Sequence, residues 1–225
     1  MKALLVLSLQ QVKELVALGV ANKIKHTKKR VYISYGSTNQ LILNKLGIKR
    51  ENYYNGYIDD FELKSNKNRE DIIILNDNKK NFLKTISKDD IIIKGANALS
   101  FENGKYIAGV AVASPEGGTY GSVVLRASCV GAEVIIPVSH EKLVPKLLAN
   151  RYTQSSFDIT MGLSVALFKL DYGRVYTEID AFKELFGLEA EIYLSAGVDS
   201  LIGALTFIVD GDKKDILRLQ KELDL

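Results

Sequence analysis

The residues best placed to do chemistry lie in short loops, each following an apolar run. Gly36, Ser37, Thr38 and Asn39 come after the run Arg30 to Tyr35 and lead into a helical pattern. Backbone N–H groups, two hydroxyls and the positive end of a helix dipole together suit an anion such as phosphate. The same loop also reads as a plain turn and helix cap. Ser114 to Gly121 repeats the strand-to-helix arrangement. There Gly117, Gly118 and Gly121 free the backbone, and Thr119 stands where it can cap the next helix. Its plainer reading is a crossover with Gly121 packed against a strand.

Two further loops carry charge. Lys94 to Asn97 follows the run from Asp90, and Ser139 to Lys142 follows the run Ala132 to Val138. Lys94, His140 and Lys142 supply charge and Glu141 a base, so Lys94, His140 and Glu141 form the candidate catalytic set. Asn97 and Lys142 join Gly36, Ser37, Thr38, Asn39, Gly117, Gly118 and Thr119 as candidate ligand contacts. Singly, each has a structural role open to it: Lys94 as a solvent-facing strand end, Glu141 in a helical first turn where an acid suits the dipole.

These loops meet only if parallel strands bring them to one edge, because ligands of such sheets bind beyond the carboxyl ends of the strands. The runs Asp71 to Leu75, Asp90 to Ile93 and Ala132 to Val138 are β-branched on both faces. Helical patterns over Asn81 to Ser87 and Thr119 to Val130 separate them, with a longer strand at Tyr106 to Ala113. This order predicts an α/β fold, an open, mostly parallel, doubly wound sheet with helices on both sides. Ser8 caps a helix whose apolar residues Leu9, Val12, Val16, Val20 and Ile24 recur at helical spacing. Met1 to Gln10 is the lead-in to that helix; it has no small-residue cleavage site of the kind that ends a signal peptide. Gly47 ends the helix Gln40 to Leu46, and Lys49 to Asn68 is aromatic-dotted, an edge strand with loops.

Pro145 to Tyr152 reads as helix. Beyond about Asn150 the pattern is strands Val165 to Leu170 and Arg174 to Tyr176, then a helix capped by Thr177 and Asp180 and running to Phe186. Strands Glu189 to Ser195 and Ala204 to Val209 and a helix Asp212 to Leu223 follow. This predicts a small α+β, ferredoxin-like lobe over 151–225 beside a Rossmann-like domain over 1–150.

Composition narrows the function classes. A net charge of +3 with interleaved signs is too weak to argue for nucleic acid, and the basic run Lys23 to Arg30 reads as a solvated helix end. One cysteine, Cys129, rules out an intramolecular disulfide framework, and its apolar surroundings predict a buried small residue. Two histidines make a histidine-rich metal site an unsuitable reading. Nothing approaches the ~18 apolar residues of a membrane span. The expectation is a cytoplasmic homo-oligomer that binds a small anionic metabolite, with no nucleic acid, membrane, cofactor or metal.

The helix, strand, Gly-Ser-Thr loop and helix, followed by a strand and Lys94-Gly95-Ala96-Asn97-Ala98, resemble the superfamily of ribose-5-phosphate isomerases, glucosamine-6-phosphate deaminases and CoA-transferases. The resemblance covers roughly the first 145 residues. It implies that Ser37 and Thr38 hold a sugar phosphate. Where those isomerases carry Asp-Gly-Ala-Asp-Glu, this chain has Lys94, Asn97 and Ala98 in the acidic positions. Lys and Asn cannot replace carboxylate bases, so ribose phosphate isomerisation is not expected while a phosphorylated ligand is. Glu102-Asn103-Gly104 looks like the glutamate nucleophile motif of the CoA-transferase branch, but Asn-Gly between two strand-like runs is a hairpin turn signal. In the last third, Arg174 could clamp an anion and Glu178 or Asp180 act as base; helix-capping acids are the plainer reading. A non-catalytic sensor and an oligomeric assembly component remain the alternatives to an isomerase, lyase or transferase.

Overall fold

The computed structural model describes residues 1–66, 72–76 and 82–223. Asp71 and Asn81, the expected starts of a strand and a helix, lie outside the described residues. The chain begins as a strand, β1 (Lys2–Leu7), which leads into the first helix. Then α1 (Leu9–Ile24) starts at Ser8, whose hydroxyl accepts the Gln11 N–H while the Gln11 side chain accepts the Ser8 N–H. Next come β2 (Val31–Ile33), α2 (Ser37–Lys45) and a hairpin of β3 (Tyr57–Asp59) and β4 (Glu62–Lys64). They are followed by β5 (Ile73–Leu75), β6 (Ile91–Ile93) and the hairpin β7 (Ala98–Glu102) and β8 (Lys105–Val112). A π-helical turn over Tyr120–Val124 runs into α3 (Leu125–Val130), then β9 (Glu133–Pro137). The last third holds β10 (Ala166–Lys169), β11 (Arg174–Tyr176), α4 (Glu178–Phe186), β12 (Glu189–Ala196), β13 (Ala204–Asp210) and α5 (Lys213–Glu222).

Helices and strands are mixed, and most strand pairs are antiparallel. The parallel pairs are confined to one five-stranded sheet, β11-β9-β6-β2-β5, in which β5 runs antiparallel to β2. Its strands are apolar throughout because both faces are covered. Val31, Ile33, Ile91, Ile93 and Ile135 point into a core shared with α1, α2 and α4. Tyr32, Ile92, Val134 and Ile136 point into a second core with Val110, Val112, Val123 and Ala127. Each fully buried side chain of this size contributes roughly 1.5–3 kcal/mol. The second face is thus covered by residues of β8 and α3, and β8 belongs to the antiparallel sheet β10-β8-β7. Helices thus lie against both faces, but on the second a β-strand shares the cover with α3.

A third sheet, β1-β13-β12, joins the two ends of the described chain. In β1, Leu5 and Leu7 are buried and the alternate Leu4 and Val6 are exposed. This period-2 pattern was masked in the sequence because every residue from Ala3 to Leu7 is apolar. Segments on both sides of residue 150 contribute to each of the three larger sheets. Pro145 to Tyr152 is irregular rather than helical. Tertiary bonds compete there, since the Leu147 N–H donates to Glu102 Oε1 and the Asn150 N–H to Leu167 O.

Candidate anion-binding site

The parallel strands deliver three of the four sequence-derived loops to one edge. After β2, the Gly36 N–H donates to Tyr53 O at 2.9 Å, and the Gln40 N–H closes the first helical bond to Gly36 O at 2.8 Å. Tyr53 is fully buried and fixes this corner, donating its hydroxyl to Ile33 O at 2.5 Å and accepting the Ile73 N–H at 3.0 Å. The amides of the α2 first turn lack intrahelical acceptors by geometry. Thr38 is 3% exposed, and its hydroxyl has no hydrogen-bond partner among the described residues. Asn39 is fully buried; its Nδ2 donates to Ser34 O and Ser34 Oγ, while Oδ1 has no partner among the described residues.

Lys94 directly follows β6 and is 7% exposed. Its Nζ donates to Gly95 O at 3.1 Å, and Lys142 Nζ donates to Ala96 O at 2.9 Å. These groups bound a cavity of about 400 Å³, lined by Gly36, Ser37, Thr38, Asn39, Lys94, Asn97 and Lys142 and further by Tyr35, Tyr54 and Tyr57. Among the described residues no aspartate, glutamate or histidine lines it. Burial, with Lys142 adding repulsion, pulls the Lys94 ammonium down to about 8. Burial also lowers Lys142, against an opposing pull from Glu141. An ammonium out of water without a carboxylate is unfavourable, so the cavity carries positive charge at Lys94 and at the α2 N-terminus.

The second glycine loop lies on an adjoining hollow of about 650 Å³, to which Gly118, Thr119 and Glu116 belong and which shares Tyr35, Lys94 and Asn97 with the first. Gly117 borders neither. At its φ of 80° an added Cβ would lie 3.1 Å from Gly121 Cα, and one at Gly121 would lie 2.8 Å from Glu116 O. Those glycines allow the loop to fold tightly on itself, so Gly121 meets its own loop and not a strand. Thr119 has helical backbone angles and makes no capping bond, contrary to its expected role. Asn97 is held by its Oδ1, which accepts the Ala111 N–H at 3.0 Å.

His140 and Glu141 do not join Lys94. The His140 side chain is 3% exposed, with Nδ1 2.7 Å from Glu178 Oε1 and Nε2 2.7 Å from the Tyr106 hydroxyl. A carboxylate only accepts, so Nδ1 donates its N–H to Glu178, and Nε2 shares a hydrogen bond with the Tyr106 hydroxyl. Burial and the Glu178 charge raise Tyr106, in keeping with a phenol that keeps its proton. Glu141 pairs with Lys13 at 3.3 Å. Asp180 accepts the Thr177 N–H at 2.8 Å as the expected cap, and Arg174 is engaged by Asp180 and Glu184, each at 2.9 Å.

Glu102 accepts from Ser100 Oγ and the Leu147 N–H, which hold its carboxyl below the usual range. Asn103 and Gly104, at φ 52° and 76°, form the expected two-residue turn between β7 and β8. Cys129 is exposed, which corrects the expected buried position. The helical spacing was right, but the residue falls on the outer side of α3. Sequence reasoning missed Tyr54 and Tyr57, whose rings meet edge to face at 5.0 Å. The aromatic-dotted stretch after Lys49 was the available signal. No helix among the described residues is long and apolar enough to cross a membrane. Comparison with known protein families and with curated proteins gives no match to this chain.

Proposed function

We propose that the protein binds a small anionic metabolite, with its phosphate or equivalent group at the α2 N-terminus between Thr38, Lys94 and Lys142. The observation that carries this reading is a lysine 7% exposed that lines a cavity with no acidic side chain among its described lining residues. An anion would neutralise that charge and give the Thr38 hydroxyl a partner. The cavity volume suits a ligand of metabolite size. The reading agrees with the phosphate-holding first loop that the isomerase resemblance implies.

Proton transfer by a carboxylate or histidine base is not the chemistry these lining residues favour. A non-catalytic metabolite sensor is therefore the second reading, supported by the engagement of Glu141 with Lys13 and of His140 with Glu178. A thermal-shift panel of sugar phosphates, nucleotides, CoA esters and inorganic phosphate tests the proposal, since a ligand bound only by the native state raises the melting temperature. A saturable rise with phosphate-bearing compounds supports it. No rise with any of them refutes it.

A further inference from the structure

Lys94 has the surroundings of an amine that reacts rather than one that only pairs. It directly follows a central strand, is 7% exposed, and its Nζ hydrogen bond runs to the carbonyl of its own neighbour, Gly95. A second lysine, Lys142, lines the same cavity, and no carboxylate does so among the described residues. A buried ammonium facing a like charge sheds its proton more readily, and the free amine is the nucleophilic form. Resting on the anion-binding reading above, we infer that Lys94 forms an imine with an aldehyde or ketone whose phosphate is held at the α2 N-terminus.

The chemistry balances within the cavity. The Lys94 Nζ lone pair attacks the carbonyl carbon, a C–N bond forms, and the C=O π pair moves to oxygen. Both amine hydrogens then leave with that oxygen as one water, and a C=N bond remains. Thr38, with its unpartnered hydroxyl, and the α2 amides hold the phosphate. Lys142 keeps the amine available and stays bonded to Ala96 O. The lowered Lys94, at about 8 against 10.5, agrees with this role. The free amine is then a larger fraction of the side chain at neutral pH than for an ordinary lysine.

Glycolaldehyde phosphate, with borohydride to reduce any imine to a stable secondary amine, tests the inference by peptide mapping of the full chain. We expect the peptide carrying Lys94 to be labelled at least tenfold faster than any other lysine peptide. Sulfate should suppress that labelling, and unphosphorylated glycolaldehyde should label Lys94 at least tenfold more slowly. In Lys142→Met the pH profile of labelling should move to higher pH, a shift that a merely structural Lys142 would not cause. Labelling spread evenly over the lysines, while sulfate still raises the melting temperature, overturns the imine and leaves anion binding standing. Failure of sulfate to bind, with Lys94 unlabelled, overturns both.

Discussion

Lys94 and Lys142 donate to the carbonyls of successive residues, Gly95 at 3.1 Å and Ala96 at 2.9 Å. Two ammonium groups are thereby tethered to one short stretch of backbone beyond the end of β6. Neither is neutralised by a carboxylate in the cavity lining among the described residues. Replacing Lys142 removes one charge-assisted bond, worth about 1.5–3 kcal/mol. Lys142→Met should weaken sulfate binding roughly ten- to a hundredfold, measured by calorimetric titration at low ionic strength, with the melting temperature unchanged or higher.

Thr38 separates a ligand contact from a helix cap. Gly36 is the α2 cap residue, and the buried Thr38 hydroxyl has no partner among the described residues. Thr38→Val keeps the shape and removes an unsatisfied polar group, whose burial costs about 1–3 kcal/mol. The variant should therefore be as stable as the parent or more so, yet bind phosphate-bearing ligands about tenfold or more weakly. Chemical denaturation and affinity measured on the same preparation check both halves. A stability loss without an affinity loss would return Thr38 to a structural role.

The lowered Lys94 gives a pH dependence of defined sign. Its folded value of about 8 lies below 10.5, so between those values the unfolded chain binds more protons and stability rises with pH. The unfavourable contribution is complete below about pH 8. Lys94→Met should lack this rise, which urea midpoints recorded at about pH 7.5 and about pH 10 detect as a smaller difference in the variant. Sulfate keeps its charge across this range, so its affinity for the parent should fall as pH rises past about 8.

Glu178 supports the site from beneath. It is fully buried and accepts the backbone N–H and Nδ1–H of His140, two residues before Lys142. Leaving a buried donor unsatisfied typically costs about 1–3 kcal/mol, and here two donors lose their acceptor. Glu178→Ala should lower stability by that order in denaturant titration, whereas a cost under about 1 kcal/mol would show that His140 is held by other contacts.

Much of this was legible in the sequence. Ser8, the pair Thr177 and Asp180, and the pair Asn103 and Gly104 declared their caps and turn through local chemistry. The β-branched runs of β6 and β9 declared strands buried on both faces. What was not legible was set by partners distant in the chain. Lys2 to Leu7 is a strand because β13 lies beside it, more than 190 residues away. Residues 145–152 are irregular because Glu102 and Leu167 draw their amides away. In the site, loop chemistry located Thr38, Lys94, Asn97 and Lys142. It could not show that His140 would be enclosed by Glu178 and Tyr106, because neither lies near it in sequence.

Anion binding in this cavity is tested most directly by a calorimetric titration of inorganic phosphate into the parent and into the Lys94→Met/Lys142→Met double variant, at neutral pH and low ionic strength. The parent should bind one phosphate saturably. The double variant, folded and at least as stable, should give no binding heat. Equal affinity in the two proteins, or no binding by the parent, would contradict the assignment of this cavity to an anion.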